Sequence, residues 1–411
     1  MKINKHCFPN GLRLVHYEDT STQMVALNIV YDVGARDEHP EHTGFAHLFE
    51  HLMFGGSAHI PDYDTPLQLA GGENNAWTNN DITNYYLTVP KPNVETAFWL
   101  ESDRMLELAF SEQSLEVQRG VVMEEFKQRC LNQPYGDVGH LFRPLAFRVH
   151  PYRWPTIGKE LSHIEQATLD EVKSFFYRFY APNNAVLAVT GNISWDETVK
   201  LTEKWFAPIP RRDVPVRQLP QEPEQTQERR LTVERNVPLD ALFMGYHMCS
   251  REGADYYAFD ILSDILSNGR SSRLNRRLVQ EQNIFSGIDA YISGTRDAGL
   301  LQISGKPAAG VSLEQAEAAV RKELEELQRS PVDGQELEKV KNKFESTQIF
   351  GNINYLNVAT NLAWFELTGK AEDIDLEVER YRSVTTEQLH TVAQRAFCEN
   401  NTVVLYYKSD K

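Results

Sequence analysis

Cysteine is scarce in this chain, and long apolar runs are missing. The 411 residues contain four cysteines, which are far apart and form no C-x-x-C pair: Cys7, Cys130, Cys249 and Cys398. This spacing predicts reduced, mostly buried thiols in a cytosolic protein. No uninterrupted apolar run approaches the roughly 18 residues that a membrane span requires, and the N-terminus lacks the apolar segment of a signal peptide. We therefore expect a cytoplasmic protein without a membrane span, or a periplasmic one if a signal peptide has been removed.

Basic residues are also in deficit, since 42 Lys and Arg face 58 Asp and Glu, for a net charge of −16. A nucleic-acid-binding protein would normally carry a basic stripe, so this class is disfavoured. The charge fits a solvated acidic surface, and it would suit cationic peptides if it lined a cavity. With 41% apolar and 24% charged residues, the composition is typical of a soluble globular protein. A chain of this length exceeds one ordinary core and predicts two or more domains.

The chain divides into two similar halves. Residues 208–228 are rich in Pro, Gln and charge and have no apolar period, which predicts an extended linker. Each half begins with an apolar strand followed by a helix. Each half ends with a helix, an Asn-Asn turn and a buried strand, at residues 168–189 and 385–406. Self-similarity of this kind indicates an internal repeat.

We therefore predict an α+β fold of two homologous α/β domains, each a mostly antiparallel sheet packed with helices. They arise by internal duplication and face each other across a cleft, a usual place for a site. Residues 1–210 would form the N-terminal domain, 211–228 the linker, and 229–411 a related C-terminal domain.

Residues 44–54, GFAHLFEHLMF, are the most informative segment. Apolar residues surround any helix drawn through this segment, so the helix should be buried. His47, Glu50 and His51 interrupt them at positions i, i+3 and i+4, on one helical face. Burying two imidazoles and a carboxylate without a partner costs several kcal/mol, and a divalent metal with a bound water would satisfy them. The pattern H-x-x-E-H is the inverzincin signature.

A catalytic zinc site usually has a third protein ligand. The sequence predicts a helix over 114–129 in which Glu125 and Gln118 lie near the apolar face while Glu124 points elsewhere. Two His and one carboxylate would also suit a non-haem iron site, but the intervening Glu50 fits hydrolysis better. In the second half, Asp260, Ser263 and Asp264 align with His47, Glu50 and His51, so the second copy lacks the ligands.

These segments resemble the pitrilysin/insulinase family of zinc metallopeptidases, which includes the mitochondrial processing peptidases. The resemblance rests on residues 47–51 (HLFEH), residues 71–86 (GGENNAWTNNDITNYY) and residues 119–125 (RGVVMEE), in that order, and it extends over essentially the whole chain.

The resemblance implies a zinc peptidase that cleaves extended peptides. His47, His51 and Glu125 would bind zinc, and Glu50 would be the catalytic base. Asn75 and Ala76 would offer backbone groups for pairing with the substrate. Relatives usually carry a Glu where this chain has Gln118, which can still hydrogen-bond a ligand.

A second departure from the family lies in the C-terminal half. Relatives often carry an Arg and, seven residues later, a Tyr that hold the substrate carbonyl, but this chain has Val279 and Ser286 there. Arg276, Arg277 or Tyr291 would substitute only in a shifted register. We therefore expect a heterodimer in which this chain bears the metal and a homologous subunit supplies the Arg/Tyr pair. Two alternatives within the same fold are a peptidase that removes leader segments from specific proteins and a non-catalytic scaffold subunit.

Overall fold

The computed structural model describes residues 1–410. Its strands are β1 Ile3–Cys7, β2 Arg13–Glu18, β3 Met24–Tyr31, β4 Glu73–Thr78, β5 Thr83–Pro90, β6 Ala185–Gly191, β7 Arg229–Arg235, β8 Ala241–Met248, β9 Phe285–Ile292, β10 Gly299–Pro307 and β11 Thr402–Ser409. Its α-helices are α1 Phe45–Leu52, α2 Asp64–Leu69, α3 Val94–Leu106, α4 Glu112–Phe126, α5 Val138–Ala146, α6 Leu161–Glu165, α7 Leu169–Phe179, α8 Trp195–Trp205, α9 Tyr256–Ser267, α10 Leu313–Arg329, α11 Gly334–Gly351, α12 Tyr355–Thr368, α13 Glu377–Ser383 and α14 Thr386–Ala396. Two π-helical segments cover Lys127–Leu131 and Asn275–Glu281.

Two mixed sheets have the same internal order. The first runs β1-β2-β6-β3-β5-β4 and the second runs β7-β11-β8-β10-β9. In each sheet one strand pair is parallel, β2 with β6 and β7 with β11, and the other pairs are antiparallel. The second sheet therefore repeats the first without an equivalent of β1. This topology confirms the α+β fold and the duplication predicted from the sequence.

The chain forms two compact units that are not contiguous in sequence. The first unit contains residues 1–129, 154–220 and 349–376, and the second contains residues 130–153, 221–348 and 377–410. The division predicted at residues 210–229 did not anticipate that residues 130–153 belong to the second unit and residues 349–376 to the first. Helix α12 therefore belongs to the first unit and α5 to the second.

Both faces of the first sheet are buried. Along β3, Leu27 and Ile29 face a core formed with α1, α3, α4 and α7, whereas Ala26 and Val30 face α12. This alternation follows from the two-residue period of a strand, and it explains why the segment reads as a continuous apolar run.

The second sheet is covered in the same manner. One face packs against α9, α10 and α14, and the other packs against α5. Gly245 on β8 allows the close approach of α5, because a Cβ at this position would stand 2.7 Å from the Phe142 ring.

The segment predicted as a linker contains neither helix nor strand between Trp205 and Arg229. Side-chain contacts fix it in place. In the first unit, Arg217 donates to Asp37 (Nε to Oδ1, 2.6 Å) and to the Asp32 carbonyl (2.8 Å). In the second unit, Glu222 accepts from three consecutive backbone N–H groups, beginning at Arg148 (2.8 Å).

Candidate metal centre

Helix α1 is short, and it begins where a glycine permits it. Gly44 has φ +88°, and a Cβ there would lie 2.9 Å from the Ile157 carbonyl oxygen, so only glycine fits without strain. No residue of α1 caps its first turn through a side chain. Instead Glu38 accepts hydrogen bonds from the backbone N–H groups of Gly44 and Ala46, both at 2.9 Å. The buried side chain of Glu38, in the preceding loop, thus fixes the start of this helix.

The opposite sides of α1 differ in chemistry, as the sequence predicted. Phe45, Leu48, Phe49 and Leu52 are buried in the core of the first unit. His47, Glu50 and His51 lie on the other side.

His47, His51 and Glu125 form the one His/Cys/Asp/Glu group within residues 1–410 whose ligand atoms could hold a metal ion; these atoms lie within 4.8 Å of one another. Glu125 Oε2 is 3.5 Å from His47 Nε2 and 3.3 Å from His51 Nε2. Ligands about 2.0–2.1 Å from one tetrahedral zinc ion lie about 3.3 Å apart. The donor set and its spacing therefore fit zinc.

Glu125 is supplied by α4, which begins at a conventional cap. The Ser111 hydroxyl accepts the backbone N–H of Ser114 at 3.0 Å, which satisfies a donor in the first turn. The other carboxylate oxygen of Glu125, Oε1, forms a salt bridge with Arg129 Nη2 at 3.0 Å. The two oxygens of Glu125 therefore face different partners. The hydrogen bond to His51 is the main cause that lowers the pKa of Glu125.

The protonation states suit a metal site. Burial lowers the pKa of His47 to about 4, so this imidazole is neutral near pH 7 and its ring nitrogen can bind a cation. Burial raises the pKa of Glu50, while the adjacent Thr78 hydroxyl and then His51 lower it. A carboxylate with a raised pKa is suited to accept and return a proton.

Strand β4 lies at the edge of the first sheet, next to β5. Asn75 pairs with Tyr86 and Ala76 with Tyr85 on the β5 side, and no strand pairs with the opposite edge of β4 in the described sheet. The Ala76 N–H donates to Asn75 Oδ1 at 2.8 Å, so an added strand would have to replace this hydrogen bond. Thr78, at the end of β4, is the residue beside Glu50. The structure therefore joins the sequence segment 73–78 to α1, although the substrate role of Asn75 and Ala76 stays a prediction.

Gln118 lies two turns before Glu125 on α4, about 10 Å along the helix axis. Its amide nitrogen approaches Gly55, near the end of α1. Its predicted hydrogen bond to a metal ligand stays a prediction.

The second unit has no equivalent centre among the residues that the structure describes. Asp260 accepts the Tyr381 hydroxyl, Ser263 donates to the Asp260 carbonyl at 2.8 Å, and Asp264 accepts Asn268 at 2.7 Å. The three residues aligned with the metal helix thus serve local hydrogen bonds.

The C-terminal residues considered for substrate binding have different surroundings. Ser286 donates to the Lys306 carbonyl at 3.1 Å, and Val279 packs against the second core. Arg277 is paired with both Glu323 and Glu326, which occupies its charge. Arg276 and Tyr291 are about half-exposed.

Three residues that support the centre or its helix were not predicted from the sequence: Arg129, Thr78 and Glu38. Arg129 follows Glu125 by four positions, a spacing that places two helical side chains together, so this signal was present. Glu38 and Thr78 act from a loop and from a strand, and no local pattern relates either to α1.

The two halves of the chain match two sequence models of one peptidase family. "Insulinase (Peptidase family M16)" matches residues 13–137, which include the metal triad, and "Peptidase M16 inactive domain" matches residues 166–344. The chain belongs to the insulinase (M16) family of metallopeptidases.

Some relatives share both the length and the fold of this M16 protein, and a longer one shares the fold. It is similar to the zinc protease PqqE of Helicobacter pylori, with 26% identity over 405 residues, 97% of this chain and 91% of PqqE. A crystal structure of a protease from Helicobacter pylori matches with a TM-score of 0.94 and 26% identity over 99% of each chain. The periplasmic protease PqqL of Escherichia coli matches with a TM-score of 0.81 and 18% identity, over 99% of this chain but 47% of PqqL. The M16 chain is therefore of the half-length form.

Among the residues described, none of the helices combines the length and the apolar character needed to cross a bilayer.

Proposed function

We propose that this protein is a zinc-dependent peptidase that hydrolyses extended peptides. The observation that carries the proposal is the convergence of His47, His51 and Glu125 from two helices, with Glu50 on the same side of α1. Its similarity to a relative named a zinc protease supports the choice of metal.

His47 and His51 would bind the metal through Nε2, and Glu125 would bind it through Oε2. When bound, zinc activates a water molecule and polarises the scissile carbonyl. Glu50 accepts a proton from the attacking water and returns it to the leaving amine. Burial raises the pKa of Glu50, and the neighbouring Thr78 hydroxyl opposes that shift.

The outer edge of β4 would hold the substrate as an added strand beside α1. Main-chain pairing selects an extended conformation more than a particular sequence. This favours unfolded chains and peptides over folded proteins. A processing peptidase that removes leader segments would use the same edge.

The substrate-binding side is less complete in this chain than in family members with an Arg/Tyr pair. Val279 and Ser286 offer no charge or phenol at the two positions, and Arg277 is held by two glutamates. We propose that a homologous subunit supplies the pair. The match to about half of PqqL supports this view, because two half-length chains together have the length of that protein.

The test is a comparison of Glu50→Gln with Glu124→Gln, a neighbouring carboxylate that lies outside the triad. Glu50→Gln should retain zinc in metal analysis. Its rate of peptide hydrolysis should fall by a factor of roughly 10²–10⁴, the usual contribution of a general base. Glu124→Gln should retain both. Hydrolysis that persists in Glu50→Gln, alone and with the partner subunit, would favour the scaffold reading and reject Glu50 as the base.

A further inference from the structure

A cavity lies on the side of α1 away from the metal triad, between α7 and the loop that precedes α1. Its volume is about 400 Å³, within the range of small-ligand sites. Phe45 and Phe175 form an apolar floor, with ring centroids 6.1 Å apart. Because residues 45 and 47 are about 200° apart around a helix, this cavity is separate from the metal site.

One face of α7 forms a wall of the cavity. The lining residues on this helix are Asp170, Glu171, Ser174, Phe175 and Arg178. Asp170 lies in the first turn and Arg178 in the last, about 12 Å apart along the helix axis. An acid, an aromatic floor and a base thus follow one another along a rigid element.

Most charged groups around the cavity are already engaged. Glu171 is 3.2 Å from His42 (Oε1 to Nδ1), and Asp37 is paired with Arg217. Glu38 accepts the two N–H groups at the start of α1. Asp170 and Arg178 are both exposed. Within residues 1–410, neither has a hydrogen bond or an ion pair to another side chain, and the Arg178 guanidinium carbon lies 5.0 Å from the centroid of the Phe179 ring. Two opposite charges without a partner therefore stand at the two ends of an apolar floor.

We propose that this cavity binds a short peptide with free termini, with its ammonium group at Asp170 and its carboxylate at Arg178. An extended residue spans about 3.4 Å, so a tripeptide covers about 10 Å and reaches both charges. A central apolar side chain would lie on Phe45 and Phe175. The proposal does not depend on the peptidase activity proposed above.

The test uses the full chain carrying Glu50→Gln and treated with a chelator, so that the probe is neither cleaved nor bound by metal. The probe is Gly-Phe-Gly with free termini, and calorimetry measures its dissociation constant. Ser174→Trp fills the cavity from an exposed position and should weaken binding at least about tenfold. A thermal melt equal to that of the parent chain shows that the variant is folded.

Asp170→Asn and Arg178→Gln identify the two ends of the ligand. Each should weaken binding roughly three- to tenfold, as expected for a partly exposed charged hydrogen bond. Amidation of the peptide should weaken binding to the parent chain but have no further effect on Arg178→Gln, and acetylation should behave in the same manner with Asp170→Asn. Asp196→Asn, in the first turn of α8, and Lys173→Gln, on α7 outside the cavity lining, are the matched controls.

Three results would overturn the proposal. The first is the absence of binding up to millimolar peptide. The second is equal binding by the parent chain and Ser174→Trp. The third is an equal effect of amidation on the parent chain and on Arg178→Gln. This result would show that the peptide carboxylate does not bind Arg178.

Discussion

At the scale of single residues, the positions of Glu124 and Glu125 around the axis of α4 give these two adjacent carboxylates different surroundings. Glu124 has 56% of its side chain exposed and lies near Lys127 (3.9 Å), whereas Glu125 is 19% exposed and contacts both histidines. The apolar period of the helix predicted this difference, because Val122 and Phe126 are buried on the side toward which Glu125 points. Two chemically identical neighbours are therefore expected to have different roles.

Substitution of the two carboxylates tests the assignment of the third ligand. Glu125→Gln should weaken zinc binding by at least about 100-fold. Removal of a residue that only hydrogen-bonds a metal ligand already lowers metal affinity by about 10–100-fold, and loss of a ligand should cost more. Glu124→Gln should bind zinc like the parent chain. Competition with a chromogenic chelator measures both affinities, and equal affinities would remove Glu125 from the ligand set.

At the scale of elements, the sequence predicted the existence of α1 and α4 better than their ends. The apolar period and the H-x-x-E-H spacing predicted a buried helix with one polar face, as found. The predicted helix over 114–129 is instead an α-helix over Glu112–Phe126 followed by a π-helical segment. A change from α to π hydrogen bonding leaves the apolar pattern almost unaltered, so periodicity could not reveal it.

The start of α1 depends on a group that no local pattern indicates. Glu38 lies six residues before Gly44, and the loop brings its carboxylate back to the first turn of the helix. Burial raises the pKa of Glu38 to about 8, against the lowering effect of the backbone N–H groups of Ala46 and Gly44. The protonated acid is thus favoured in the folded chain relative to the unfolded one.

This shift predicts a specific pH dependence of stability. Because the folded pKa is raised, the contribution of Glu38 is fully present below the unfolded value near 4.5 and is lost as pH rises through about 8. Between these values the free energy of unfolding should fall by up to about 1.4 kcal/mol per pH unit from this group. Urea unfolding at pH 6, 7, 8 and 9 should show a slope that Glu38→Gln removes.

Glu41→Gln is the control for Glu38→Gln, since Glu41 is an exposed carboxylate in the same loop. It should leave the slope unchanged. An identical pH slope in the parent chain and in Glu38→Gln would show that another group causes it.

At the scale of the whole molecule, the sequence revealed the duplication. It did not reveal that α5, from the first half of the chain, packs in the second unit and that α12, from the second half, packs in the first. Matching helix-strand segments at the ends of the halves predicted two similar sheets, and the strand orders agree. The sequence pattern could not assign α5 and α12 to their units, because each helix carries an ordinary apolar face. Such a face shows that a helix is covered, but not which sheet covers it.

Leu362 tests whether the first unit depends on α12. This side chain is fully buried with Val30 and Val186, so Leu362→Ala should cost about 2–5 kcal/mol and speed hydrogen exchange in β3. Leu376→Ala, at a position 43% exposed, should leave β3 unchanged. Unaltered exchange in Leu362→Ala would mean that α12 adds little to the stability of the first sheet.

The half-length chain leads to a final prediction about assembly. The metal triad and Glu50 are present, whereas Val279 and Ser286 occupy the positions where the family resemblance leads us to expect an Arg/Tyr pair. An equimolar mixture with a homologous subunit that carries the pair should therefore cleave peptides far faster than either chain alone. In that mixture, Glu50→Gln in this chain should abolish cleavage, and Arg→Ala in the partner should reduce it, because each subunit supplies a different part of the site. A quenched fluorescent peptide library measures the rates. Full activity of this chain alone, unchanged by the added subunit, would show that the site is complete without a partner.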